Sequence, residues 1–255
     1  MRVPPLVPRP FAKPVRVSLP ALRAAGLFPP EEEMQQLIQQ YRQIKRPLIM
    51  NAFGRGGPPL PNGHVIMLAS AVAGEGKTFT AINLALSMAM EKDVRVLVAD
   101  ADVAKRHLSR QLGVANAPGL LDALRDNRLD VESVILPTDV PNLSILPAGT
   151  LSAEATELLA STRMEQVMRA IAQRDERRLA IVDSPPLLLT TESHAIAQVA
   201  GQVLMVVRAG ETPRQAVLAA LRHLHKHPAV SMMLNQSRAA ASASYYYNAY
   251  EDRRS

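Results

Sequence analysis

One eight-residue stretch limits the folds open to this chain: Ala71-Val72-Ala73-Gly74-Glu75-Gly76-Lys77-Thr78. It lies between an apolar run, 64–70, and a segment patterned as a helix from 77 to about 91. The spacing is that of a P-loop, with Ala71 where the first glycine usually stands. Gly74 and Gly76 let the backbone curl so that successive N–H groups face phosphate oxygens. The helix that follows adds the partial positive charge of its N-terminus. In such a loop Lys77 reaches the β and γ phosphates, and the Thr78 hydroxyl ligates Mg²⁺.

The rest of the chain agrees with that unit. Short continuous apolar runs at 94–99, 142–146, 179–182, 202–207 and 230–234 read as strands buried on both faces of a parallel sheet. Helical patterns at 105–112, 119–126, 153–174, 192–200 and 212–226 separate them. Such alternation implies right-handed crossovers. The expected fold class is α/β, a P-loop NTPase fold with a doubly wound, mainly parallel sheet flanked by helices, over residues 64–235.

Three segments flank this domain. Residues 1–30 hold eight Pro, five Arg or Lys and no acid, and are expected to form a flexible, extended basic arm. Residues 31–63 read as an amphipathic helix plus a linker. The helix spans 31–46, with Met34, Leu37, Ile38, Tyr41 and Ile44 on one face and Pro47 as its stop. Gly, Pro and Asn crowd the linker at 54–63. Residues 236–255 are expected to be flexible, and they carry four of the five tyrosines: Tyr245, Tyr246, Tyr247 and Tyr250.

A P-loop needs acids to hold its metal. Asp100 and Asp102 follow the strand at 94–99, and Asp183 ends the strand at 179–182. In a parallel sheet all three reach the edge that carries the loop. One acid of the Asp100/Asp102 pair is enough for the metal, which leaves the other to accept a proton from an incoming hydroxyl. A tyrosine hydroxyl, with its pKa near 10, benefits from such a base.

Composition excludes other chemistry. With no Cys there are no disulfides, thiolate metal sites or cysteine nucleophiles. No signal peptide or membrane span is visible, so the expected location is the cytoplasm. The net charge of +6 is concentrated partly in the basic arm, and no basic patch is interleaved with aromatics, so no nucleic acid is expected as a partner. The Asn-Lys-x-Asp motif of a GTPase is missing from the sequence.

Several segments together resemble the bacterial P-loop tyrosine kinases found with exopolysaccharide synthesis, and more narrowly the exosortase-associated tyrosine autokinases. They are Tyr41-Arg42-Gln43-Ile44-Lys45-Arg46-Pro47-Leu48, the P-loop, 96–102, Glu157-Leu158-Leu159-Ala160-Ser161, Ile181-Val182-Asp183-Ser184-Pro185-Pro186 and Tyr245-Tyr246-Tyr247-Asn248-Ala249-Tyr250. The resemblance implies ATP as phosphate donor, with Mg²⁺ held by Thr78, Asp100, Asp102 and Asp183. It implies nucleotide contacts from Ala73, Gly74, Glu75, Gly76, Lys77, Thr78 and Phe79, and an adenine contact from Asn235. It makes Lys77, Asp100, Asp102 and Asp183 catalytic, and the tail tyrosines the autophosphorylation sites. Its implied partners are an inner-membrane polysaccharide co-polymerase that activates the kinase, a cognate tyrosine phosphatase and further copies of the chain. The chain would then lie peripherally at the inner membrane and regulate polysaccharide export and chain length.

Two departures stand out. Ala104 occupies a position that is usually Arg, beside Lys105 and Arg106. The family's assembly motif Glu-x-x-Arg-x-x-Arg reads Gln39, Arg42, Lys45. Two rival readings share the fold: a partitioning-type ATPase, whose signature lysine is here Val72, and an ATP-binding regulatory module without catalysis.

Overall fold

The strands are β1 (Val65–Ala69), β2 (Arg95–Asp100), β3 (Leu136–Pro137), β4 (Leu143–Leu146), β5 (Arg178–Asp183), β6 (Gln202–Arg208) and β7 (Val230–Asn235). The helices are α1 (Leu19–Ala24), α2 (Met34–Phe53), α3 (Lys77–Ala89), α4 (His107–Gln111), α5 (Leu120–Arg125), α6 (Ala155–Leu159), α7 (Thr162–Gln173), α8 (Glu192–Val199) and α9 (Arg214–His223). The computed structural model describes residues 13–237. The seven strands form one sheet in the order β3-β4-β2-β5-β1-β6-β7. Every pairing is parallel except β3 with β4.

Both faces of the sheet are covered over β1, β2, β5 and β6, which is why those strands read as unbroken apolar runs; β7, expected to be buried on both faces, is the edge strand and leaves Ser231, Met232 and Leu234 exposed. Val65, Met67 and Ala69 of β1 face one core, together with Leu121 of α5, Met164 and Ile171 of α7 and Ile196 of α8. Ile66 and Leu68 face the other, with Leu22 of α1, Leu48 and Ala52 of α2, and Leu84 and Met88 of α3. The two-residue period of a strand divides these residues between the faces.

The expectation of a free arm over residues 1–30 fails for 13–30. Val15 bridges to Thr138 beside the β3–β4 edge. Its N–H donates to the Pro137 carbonyl at 2.8 Å, and the Val17 N–H donates to the Asp139 carboxylate at 2.8 Å. Ser18 caps α1, and Pro20 lies in the first turn, where its missing N–H costs nothing. Leu22 and Leu27 are buried against α2 and α3. Proline content predicted poor regularity, but these apolar anchors overrode it. Residues 1–12 lie outside the described residues.

Pro47 also fails to end α2, which continues to Phe53. An interior proline costs about 3 kcal/mol. Burial of Leu48 and Ile49 just beyond it returns roughly 1.5–3 kcal/mol each. The helix stops instead at Gly54, which is left-handed at φ 67°. The single helix expected over 153–174 divides into α6 and α7, because Ser161 is extended (φ −83°, ψ 157°) and its hydroxyl donates to the Leu158 carbonyl at 2.6 Å. Among the described residues no helix is long and apolar enough to cross a membrane.

Candidate active site

The P-loop joins β1 to α3 at the carboxyl edge of the sheet. Gly74 and Gly76 are left-handed, at φ 83° and 93°. A Cβ at Gly76 would sit 2.0 Å from Asn235 Nδ2, so the close approach of that amide requires glycine. Asn235 Nδ2 donates to the Glu75 carbonyl at 2.9 Å. The Glu75 side chain turns inward and is 1% exposed. One carboxylate oxygen accepts from the Val72 N–H at 2.7 Å, and the other accepts from the Thr212 hydroxyl at 2.6 Å. The loop is thus pinned to the β6–α9 connection and to the end of β7. Ala73 and Gly74 stay exposed at its rim.

Lys77 opens α3, and its Nζ donates to Ser70 Oγ at 2.6 Å. Burial pulls its pKa down, while the charges of Asp183, Asp102 and Glu75 oppose that shift and that of Lys105 adds to it. A desolvated ammonium in a curled loop is a ready partner for an anion. Phe79 is partly buried and packs against the core that α2 and α3 share with the sheet.

The acids meet this loop from the neighbouring strands. Asp100 of β2 and Asp183 of β5 stand opposite each other in register, and both are buried. The Thr78 hydroxyl donates to Asp183 Oδ2 at 2.7 Å. Asp100 Oδ2 accepts from the Ser109 N–H at 2.8 Å and from the Ser109 hydroxyl at 2.6 Å. Burial, reinforced by the Asp100 charge, pushes Asp183 up to about 7, against the pull of Thr78 and Lys77. Burial likewise pushes Asp100 up to about 6, against the Ser109 bonds. Asp102 is only partly buried, and its Oδ1 accepts from the Lys105 N–H at 3.3 Å.

These residues fit a divalent cation. Asp100 Oδ1 is buried without a hydrogen-bond partner among the described residues. Two desolvated carboxylates side by side regain their ionised form when a cation arrives. No group of three or more His, Cys, Asp or Glu among the described residues is arranged to hold a metal alone.

Sequence reasoning passed over Ser70, Ser109 and Thr212. Ser70 carried a signal, a hydroxyl at the end of an apolar strand; no spacing rule pointed to the other two. The departures also acquire positions. Ala104 and Lys105 are exposed. Arg106 donates to the Ala115 carbonyl at 3.3 Å, while the charge of Lys105 acts on Lys77. Gln39 and Arg42 are exposed on α2, but Lys45 is buried, pairs with Glu91 at 2.7 Å and donates to the Ser87 carbonyl at 2.7 Å. The third position of the assembly motif therefore serves its own chain. Tyr245, Tyr246, Tyr247 and Tyr250 lie outside the described residues.

Known proteins resemble this chain in sequence and in fold. A family profile described as "AAA domain" matches residues 63–228. The tyrosine-protein kinase wzc of Salmonella typhimurium is 32% identical over 145 residues, which are 57% of this chain and 20% of that protein. The tyrosine-protein kinase YwqD of Bacillus subtilis is 27% identical over 190 residues, 73% of this chain and 78% of that one. The solved BceF tyrosine kinase domain superposes with a TM-score of 0.65 at 28% identity, covering 78% of this chain and 76% of that one. The chain spans about a fifth of the length of the first curated relatives it matches. The profile covers more than half of the chain: the chain belongs to the AAA-domain family, and it resembles the bacterial tyrosine kinases.

Proposed function

We propose that this chain is an ATP-dependent protein-tyrosine kinase that phosphorylates the tyrosine cluster of its own C-terminal tail. The observation that carries the reading is the grouping of Lys77, the Thr78–Asp183 hydrogen bond and the Asp100–Asp183 register at one sheet edge. The N–H groups of residues 73–79 cradle the triphosphate, and Lys77 neutralises the β and γ phosphates. Thr78, Asp100, Asp102 and Asp183 would hold Mg²⁺, which would offset the charge of the phosphates. Asn235 borders the adenine.

The tyrosine oxygen attacks the γ-phosphorus, the bond from that phosphorus to the β–γ bridging oxygen breaks, and ADP leaves. The phenolic proton passes to a carboxylate. Asp102 suits that role, because it is more exposed than Asp100 or Asp183 and open to an incoming hydroxyl. Each phosphotyrosine then adds about −1.5 to −2 charges to the tail. Crowded phosphates repel neighbouring copies, so phosphorylation weakens self-association. By its resemblance the chain works at the cytoplasmic face of the inner membrane. An activating polysaccharide co-polymerase and a phosphatase are its partners there, and exopolysaccharide export is the process it regulates. The test is tyrosine phosphorylation by the full chain on Mg-ATP; absence of phosphotyrosine in the presence of bound nucleotide favours a non-catalytic module.

A further inference from the structure

Ser109 is a fully buried residue on α4 whose hydroxyl both donates and accepts a hydrogen bond. Its N–H and its Oγ proton both go to Asp100 Oδ2. Its Oγ accepts from the Ala148 N–H, just after β4, at 3.0 Å. With an amide filling the acceptor side, the one hydroxyl proton is directed at the carboxylate. Two donors on a single carboxylate oxygen fix the rotation of the group. The other oxygen, Asp100 Oδ1, is buried and has no hydrogen-bond partner among the described residues. It lies on a strand end in register with Asp183, whose own Oδ2 is held by Thr78. A buried acceptor without a donor marks a position that some further species completes. Each of the two acids therefore has one oxygen fixed by a hydroxyl.

We propose that Ser109 is a positioning residue that fills Asp100 Oδ2 and so commits Oδ1 to the bound metal or its water shell. The inference rests on the Mg-ATP reading above and deepens it. Outer-shell partners of this kind orient carboxylates, and their loss typically costs 10–100-fold in metal affinity. The competing explanation is a staple that only ties β2 to the chain after β4 through Ala148. The two differ in whether the effect of Ser109 passes through Asp100.

The test uses Mn²⁺ as the metal probe on the full chain, with free Mn²⁺ counted by its electron paramagnetic resonance signal, in the presence and absence of ADP. Ser109→Ala is expected to weaken ADP-dependent Mn²⁺ binding about ten-fold or more and to leave metal-free ADP binding unchanged. In an Asp100→Asn background the same substitution is expected to add nothing, as for two residues acting as one unit. Should Ser109→Ala not fold, Ser109→Cys, with its weak S–H donor, is read the same way. Wild-type affinity in the Ser109 variant, losses that add in the double variant, or an equal fall in metal-free ADP binding would overturn the inference while leaving the kinase reading intact. Failure of the unmodified chain to bind Mn²⁺ with ADP at all would remove the kinase reading and this inference with it.

Discussion

The Thr78 hydroxyl donates to the Asp183 carboxylate at 2.7 Å, joining the first turn of α3 to the carboxyl end of β5. This bond links the two halves of the site. It also holds in place a carboxylate that burial pushes up to about 7.

A pH dependence follows from that shift. A carboxyl group whose folded pKa lies above its unfolded value near 3.9 binds its proton more tightly in the folded state. Its contribution to stability is full below that unfolded value and is lost as pH rises through about 7. Asp183→Asn removes this loss. Without nucleotide, the variant is expected to match the wild type near pH 4 and to exceed it by on the order of 4 kcal/mol at pH 8. Urea unfolding across that range checks it; a constant gap would show that Asp183 carries no such shift.

Gly76 has a steric reason to be glycine. Its φ of 93° and the Asn235 amide 2.0 Å from a hypothetical Cβ leave no room for alanine. Gly76→Ala is expected to cost at least about 1–2 kcal/mol from the left-handed backbone alone and to weaken ATP binding by displacing Asn235. Chemical unfolding and nucleotide titration measure the two effects. Removing the amide in Asn235→Ala should recover part of the lost stability.

The segment 13–28 is built into the fold rather than appended to it. Leu22 is 1% exposed, against α2 and α3. Leu22→Ala is expected to lower unfolding free energy by about 2–5 kcal/mol. An effect below about 0.5 kcal/mol would mean that the segment is not docked in solution.

Much of this architecture was legible in the sequence. The P-loop declared itself through glycine spacing and the strand before it, and Asp100, Asp102 and Asp183 through their places at strand ends. Those features depend on local order along the chain. What was hidden depends on contacts distant in sequence. Lys45 reads as an exposed assembly residue until Glu91 and the Ser87 carbonyl are seen around it. Ser109 and Thr212 gain meaning only when the fold brings them to Asp100 and Glu75. Pro47 and the prolines before residue 30 misled because local propensity weighs less than the burial of Leu48, Ile49, Leu22 and Leu27.

Phosphorylation should alter assembly. Several phosphotyrosines in one short tail concentrate about −1.5 to −2 charges each. Sedimentation of the full chain is expected to show smaller species after incubation with Mg-ATP than before. Equal sizes, with phosphotyrosine present, would contradict this.

The central claim is that Lys77 and the three acids transfer phosphate from ATP to the tail tyrosines. The most direct measurement is a phosphotyrosine gel of three chains with Mg-ATP: the unmodified protein, Lys77→Met, and a chain ending at Ser244. Signal is expected in the first, a loss of at least about 10²-fold in the second and none in the third. When the last two are mixed, the truncated chain is expected to label the intact tail of the Lys77→Met chain. Undiminished phosphotyrosine in Lys77→Met alone, or none in the unmodified chain while it binds ATP, would contradict it.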